Sequence, residues 1–502
     1  MSTEIPETTS ADTVTSWSDE VDVVVIGFGI GGGCAAVSAA AAGARVLVLE
    51  RAAEAGGTTA MAGGHFYLGG GTAVQQATGH ADSPDEMYKY LVAVSREPEH
   101  DKIRAYCDGS VEHFNWLEDL GFQFERSYYP EKAVIQPNTE GLMYTGNEKV
   151  WPYLNQAVPA PRGHKVPVPG DTQGAKMVID LLLKRAENLG VQIRYETAAT
   201  GLVTGGSARL DGGEPKLGAP HETDASGGVT GVTWKRYAES GAIKAKSVVI
   251  AAGGFVMNPD MVARYTPKLA EKPFVLGNTY DDGLGIRLGE SVGGATKHMD
   301  QVFITAPVYP PSILLTGIIV NSQGKRFVAE DSYHSRTSGF VMDQPDCAAF
   351  LIVDETHLRK PRVPLVPLID GWESVTEMEA ALGIPKGNLV ATLDRYNTYA
   401  ARGEDPDFHK QPPFLAPQDT GPWGAFDLSL GKAMYAGFTI GGLATSVDGQ
   451  VLREDDSPVP GLYAAGACAA NIAQDGKGYA SGTQLGEGSF FGRRAGVHAA
   501  AS

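Results

Sequence analysis

Residues 21–50 read VDVVVIGFGIGGGCAAVSAAAAGARVLVLE. Residues 21–26 are an apolar, β-branched run that predicts a buried strand. Gly27, Gly29 and Gly32 then form a GxGxxG turn, an Ala-rich segment predicts a helix, and residues 44–49 predict a second strand ending at Glu50. Glycines at such a turn let the backbone approach a pyrophosphate, which rests on the positive end of the helix. Glu50 follows the turn by about 20 residues, the spacing at which a carboxylate meets ribose hydroxyls. A dinucleotide site therefore stands at the start of the main domain.

The rest of the chain narrows the class. At 502 residues it is long enough for two domains, and its 43% hydrophobic and 20% charged residues are those of a globular enzyme. A net charge of −18 repels nucleic-acid phosphates and anionic lipid alike. No apolar run reaches the ~20 residues of a membrane span. Residues 1–19 are Ser/Thr-rich and acidic, without the features of a signal peptide, and read as a disordered tail on a cytoplasmic protein. Cys34, Cys107, Cys347 and Cys468 are too scattered for a disulfide, metal or iron–sulfur framework.

Apolar spacing predicts helices within 83–121 and over about 174–190. Strands are predicted at 191–196, 229–236 and 242–250. Residues 205–228, rich in Gly and charge, read as a mobile surface loop between the first two. The division that results is a tail (1–19), a first part of a dinucleotide domain (20–300), an inserted domain (301–430) and a second part of the dinucleotide domain (431–502).

Three glycine-bearing segments lie far from the opening turn: residues 56–64 (GGTTAMAGG), 246–254 (KSVVIAAGG) and 461–466 (GLYAAG). Their order resembles that of the flavoprotein family of fumarate reductase and succinate dehydrogenase, which includes the 3-ketosteroid dehydrogenases. The resemblance spans nearly the whole chain after the tail. It implies an α/β fold: a Rossmann-like FAD-binding domain of the glutathione-reductase type carrying an inserted α+β domain that caps the substrate. It also implies FAD contacts from Gly27, Gly29, Ile30, Gly32, Glu50 and Arg51. Gly57, Thr58, Thr59, Ala62, Gly63 and Gly64 would cradle the phosphates and flavin edge. Ala199, Ala252 and Gly253 would serve the same cofactor, as would Gly466, Gly482, Leu485 and Gly486; Asp282, in the run Tyr280-Asp-Asp-Gly283, is read as a helix cap or a contact to the cofactor. The position that carries a covalent histidine in some relatives is Gly57 here, so non-covalent FAD is expected.

The substrate end departs from the dicarboxylate enzymes of that family. They hold carboxylates with a histidine and an arginine, for which cationic forks are suited. Phe438 stands in the histidine segment (GFTIGG, 437–442) and Tyr479 in the arginine segment (GYASG, 478–482). A neutral substrate with a carbonyl is implied. Residues 478–482, 64–71 (GHFYLGGG), 330–333 (EDSY) and 141–146 (GLMYTG) are similar to the 3-ketosteroid Δ4-(5α)-dehydrogenases.

Introducing a C4–C5 double bond requires loss of a hydride from C5 and of a proton from C4, with the C3 carbonyl polarised. By the resemblance, Tyr479 and the Gly482 N–H bind the C3 oxygen, Tyr333 takes the C4 proton, and Ser481 relays it or orients a tyrosine. The roles of base and polariser are exchangeable between the two tyrosines at this stage. Tyr67, Tyr144 and Phe438 are expected pocket walls. Ser481 also suits a helix cap, and Arg336 falls near the proton-donating arginine of the fumarate reductases. A Δ1-dehydrogenase, an enoate reductase and a flavin electron-transfer subunit are the competing readings. The expected partners are a small-molecule steroid and an external electron acceptor whose identity the sequence does not specify.

Overall fold

Strand β1 (Asp19–Ile26), helix α1 (Ile30–Ala41) and strand β2 (Val46–Leu49) form the βαβ opening that the first motif predicts. The computed structural model describes residues 4–134, 136–170, 173–205, 228–270, 274–470 and 472–502. Strands β1 and β2 are parallel, with Val25 opposite Val48. Val24 and Ile26 face one hydrophobic core and Val23 and Val25 another. A strand covered on both faces has no polar side to show, which is why residues 23–26 are continuously apolar.

Strand β3 (Glu239–Ile250) joins two pairing schemes. Its first half runs antiparallel to Val229–Arg236, and its second half runs parallel to β1 and to β4 (Pro458–Ala464). The expected trio of strands is rearranged. Gln192–Arg194 pairs parallel with β2 at the sheet edge, and the third antiparallel strand is Ala198–Thr204. Glu196, at φ +55°, separates the two segments, so one apolar stretch serves two partners. The helices fall at Pro84–Val94, His100–Glu118 and Gly174–Asn188, as the spacing predicts. The loop expected at 205–228 lies almost wholly outside the described residues.

Residues 4–19 of the N-terminal tail, expected to be disordered from its composition, are placed against the sheet. Thr9–Ser10 adds a parallel strand to Ala198–Thr204, and Ser18 N–H donates to the Ala242 carbonyl. The edge strand supplies open backbone partners, and these offset the weak apolar content of the tail. Within 301–430, a four-stranded antiparallel sheet runs in the order Ile318–Asn321, Ala349–Asp354, Trp423–Asp427, Leu368–Trp372. It packs on helices Val375–Ala381 and Asn388–Ala400 through Ile318, Ile352, Met378 and Leu393. Among the described residues, no helix is long and apolar enough to cross a membrane.

The terminal helix α2 (Thr483–Ala501) lies against α1 at backbone contact. A Cβ at Gly492 would overlap the Gly31 carbonyl, and one at Gly496 would overlap the Ala35 carbonyl. Gly496→Val should therefore force the two helices apart and cost about 1–3 kcal/mol of stability, the usual range for overpacking. Thermal melting of the purified variant checks this; an unchanged melting temperature would show that the helices separate freely.

Candidate active site

The C-terminal ends of β1, β2, β3 and β4 open into one cavity of about 470 Å³. This is where open parallel sheets bind ligands. All the positions expected at the cofactor line it except Gly32 and Gly486. Those two pack elements instead. A Cβ at Gly32 would overlap the Gly27 carbonyl, and one at Gly486 would overlap the Tyr106 hydroxyl.

The lining suits an extended dinucleotide. Gly27 sits at φ +94°, and a Cβ there would lie 2.6 Å from the Ala251 carbonyl oxygen. The start of α1, Ile30 and Gly31, faces the cavity, so its N–H dipoles point at an incoming pyrophosphate. Ile30 N–H also donates to Thr59 Oγ1 (3.1 Å), which ties the second glycine loop to the first. Glu50 accepts from Phe28 N–H (2.9 Å) and Ala52 N–H (2.8 Å). Burial pushes its carboxyl up from the usual range, against the pull of these donors.

Arg51 pairs with Asp282 at 2.7 Å and lies over the Tyr280 ring. Asp282 also accepts from Leu284 N–H (3.0 Å), the first residue of helix Leu284–Glu290, whose N-cap is Gly283. The neighbouring Asp281 went unrecognised. Its carboxylate accepts from the Thr58 hydroxyl and from Asn278 N–H (3.2 Å), and burial raises its pKa. The Tyr280-Asp-Asp-Gly283 run was its only signal, and adjacent acids there serve separate tasks. Gly57 offers no side chain for a covalent bond to flavin, and His65 is buried with its pKa held down to about 3 by desolvation.

The far end of the cavity has a different chemistry. Phe438, Tyr479, Ser481 and Gly482 line it. Tyr479 packs edge-on against Phe303 (centroids 4.8 Å), and Phe303 stacks on Phe438 (4.7 Å). Phe303 gave no signal in sequence; it reaches the site as the cross-strand partner of Phe438. Burial raises the Tyr479 phenol well above its ordinary pKa, so it remains protonated and a donor. Gly482 sits at φ +95° and caps α2, and its carbonyl accepts from Tyr67 N–H (2.9 Å).

Tyr333 is buried and lies behind Ser481, their hydroxyls sharing a short hydrogen bond. Tyr67 and Tyr144, expected as pocket walls, do not line the cavity. The Tyr67 hydroxyl donates to Glu148 (3.0 Å) and that of Tyr144 to the Pro159 carbonyl. Arg336 also points elsewhere. Its guanidinium donates to the Tyr153 hydroxyl (2.5 Å) and sits against the Tyr153 and Phe340 rings. Among the described residues, Arg51 is the only arginine lining the cavity, and no lysine does so.

A family model described as an FAD binding domain matches residues 22–488. The chain belongs to this family. FAD is thus its cofactor, and the cradle fits it. The flavoprotein is similar to a 3-ketosteroid-Δ4-(5α)-dehydrogenase from Rhodococcus jostii RHA1, solved in complex with 4-androstene-3,17-dione. The two share 39% identity over 98% of this chain and 99% of that one, with a TM-score of 0.88. It is 29% identical to a 3-oxo-5-alpha-steroid 4-dehydrogenase of Comamonas testosteroni, over 92% of this chain and 95% of that protein. It is 28% identical to a urocanate reductase of Eggerthella lenta, over 96% of this chain and 75% of that protein.

Two measurements follow. Glu50→Ala removes a charged acceptor and orphans two backbone donors, each such bond being worth about 1.5–3 kcal/mol. FAD affinity should fall roughly ten- to a hundredfold, read by fluorescence titration of the apoprotein; an unchanged Kd would take Glu50 out of the cradle. The second concerns acid. Burial holds His334 down to about 3 and His164 to about 4, against an ordinary 6.5. The unfolded chain binds these protons first, so stability is complete above about pH 6.5 and falls as pH drops towards 4. Denaturant midpoints at pH 7.5 and 5 should differ in that direction, and His334→Phe should flatten the slope.

Proposed function

We propose that this flavoprotein is a 3-ketosteroid Δ4-(5α)-dehydrogenase that oxidises the C4–C5 bond of a saturated A ring. One observation carries the reading: the reacting end of the cavity is walled by Phe438, Tyr479 and Ser481, with no cation among the described residues there. Such a wall rejects a dicarboxylate, whose charges would be buried unpaired. It accepts an apolar ring system bearing one carbonyl. The likeness to the Rhodococcus and Comamonas steroid enzymes supports the same substrate class.

FAD, when bound, supplies the acceptor for the hydride that leaves C5. The chain supplies the rest. The Tyr479 hydroxyl and the Gly482 N–H donate to the C3 oxygen, stabilising the enolate character that makes the C4 proton acidic. Ser481 lines the cavity while Tyr333 does not. The C4 proton therefore passes to Ser481 Oγ as the serine hydroxyl gives its own proton to Tyr333, which enters the step as the phenolate; the phenol so formed returns that proton to solvent before the next turnover. Tyr479 is the polariser and the Ser481–Tyr333 pair the base. The elements of 301–430, which bring in Tyr333, act as a cap over the FAD-binding part. Electrons then leave to an external acceptor.

Anaerobic mixing with 5α-3-ketosteroids should bleach the flavin absorbance and yield the conjugated 4-en-3-one. Bleaching by succinate but by no steroid would overturn the reading, and a C1–C2 alkene in the product would move it to the Δ1 reaction. Tyr479→Phe should lower turnover roughly tenfold to a thousandfold with FAD retained, the range for loss of one oxyanion donor. Wild-type turnover in that variant would remove the phenol from the mechanism.

A further inference from the structure

The run 141–146, one of the segments shared with the steroid enzymes, supplies no residue to the cavity. Its continuation does something else. Asn147 is fully buried. Its Oδ1 accepts from the Tyr333 backbone N–H (2.9 Å), and its Nδ2 donates to the Lys477 carbonyl (3.4 Å). Two residues earlier, the Thr145 carbonyl accepts from Ser481 N–H (2.9 Å). One short segment therefore grips the backbones of both members of the hydroxyl pair and of the turn that leads to Tyr479.

The segment is itself held. Asn147 N–H donates to the Tyr90 hydroxyl (2.8 Å), and Gly146 N–H to Glu148 (3.0 Å). Gly146 has no room for a side chain, since a Cβ would lie 2.7 Å from the Tyr90 oxygen and 2.9 Å from the Ala480 Cβ. The two bonds of Asn147 are of opposite sense, an acceptor towards Tyr333 and a donor towards Lys477. An amide meets both demands; an ionised carboxylate meets one and opposes the other.

We propose that Asn147 is a positioning residue for the proton transfer: with Thr145 it sets the distance between the Tyr333 and Ser481 hydroxyls. This rests on the steroid reading above. Neither Tyr333 nor Ser481 is placed by its own element alone. Tyr333 precedes helix His334–Val341 with no side-chain cap, and Ser481 lies in the loop before α2. A displacement of about 1 Å in such a pair costs on the order of a hundredfold in rate.

The test uses the FAD-loaded enzyme and a 5α-3-ketosteroid. Asn147→Ala should keep the flavin spectrum and a KM within about threefold of wild type while kcat falls roughly 10- to 100-fold. A C4-deuterated substrate should then show a larger isotope effect on kcat. Asn147→Asp separates positioning from mere packing. Beside Glu148, Tyr90 and Tyr333, a buried carboxyl titrates above its ordinary range. Its protonated form restores the donor to Lys477. Its kcat relative to wild type should therefore rise as pH falls from 8 to 6. A wild-type kcat in Asn147→Ala overturns the proposal. So does a pH-independent ratio in Asn147→Asp, which decides the matter if the alanine variant does not load FAD. Failure of every 5α-3-ketosteroid to bleach the flavin of the wild-type enzyme would instead overturn the steroid reading.

Discussion

The contact between α1 and α2 at the level of backbone atoms is the constraint on which the site depends. Glycine at 31, 492 and 496 lets the first helix of the sheet and the last helix of the chain approach without side chains between them. A Cβ at Gly31 would also lie 2.8 Å from Gly466 N, so the end of β4 joins the same junction. This close packing fixes where α2 begins. Gly482, its cap, is thereby held beside the strand His65–Tyr67, and Tyr479 and Ser481 are delivered to the cavity just before it. A bulkier interface would move the reacting groups away from the dinucleotide cradle that α1 opens.

The polar groups of the site follow a consistent division. Around the dinucleotide, carboxylates are occupied by backbone donors: Glu50 by Phe28 and Ala52, Asp282 by Leu284, Asp281 by Asn278. They shape loops as much as they offer ligands. At the reacting end the polar atoms are hydroxyls set among rings. Burial there raises the Tyr479 phenol and keeps nearby His334 neutral, its pKa about 3. An uncharged environment of this kind favours neutral donors over ions, which suits a ketone and an enolate shared over hydrogen bonds rather than a carboxylate.

Much of this was legible in the chain. The GxGxxG turn, Glu50 and the later glycine loops are local patterns whose spacing is dictated by backbone approach, so they read directly. The presence of Phe438 and Tyr479 in the segments that carry a histidine and an arginine in the dicarboxylate enzymes was equally plain. What escaped was set by tertiary pairing. Phe303 is an ordinary strand residue until it stands opposite Phe438. Asp281 and Asp282 are indistinguishable in sequence, yet one serves Thr58 and the other Arg51. The ordered N-terminal segment depends on an edge strand that its own composition does not announce. Tyr67 looked like a pocket wall, but its hydroxyl turns to Glu148 and only its backbone reaches Gly482.

The strand β3, half in an antiparallel ribbon and half in the parallel sheet, lies between β1 from early in the chain and β4 from near its end. A polypeptide leaving the ribosome thus exposes the glycine turn long before the segment carrying Tyr479 is made. Throughout most of synthesis only half a cradle exists, and non-local pairings of this order assemble late. The full cavity accordingly exists only once β4 and the segment before α2 have joined β1 and α1.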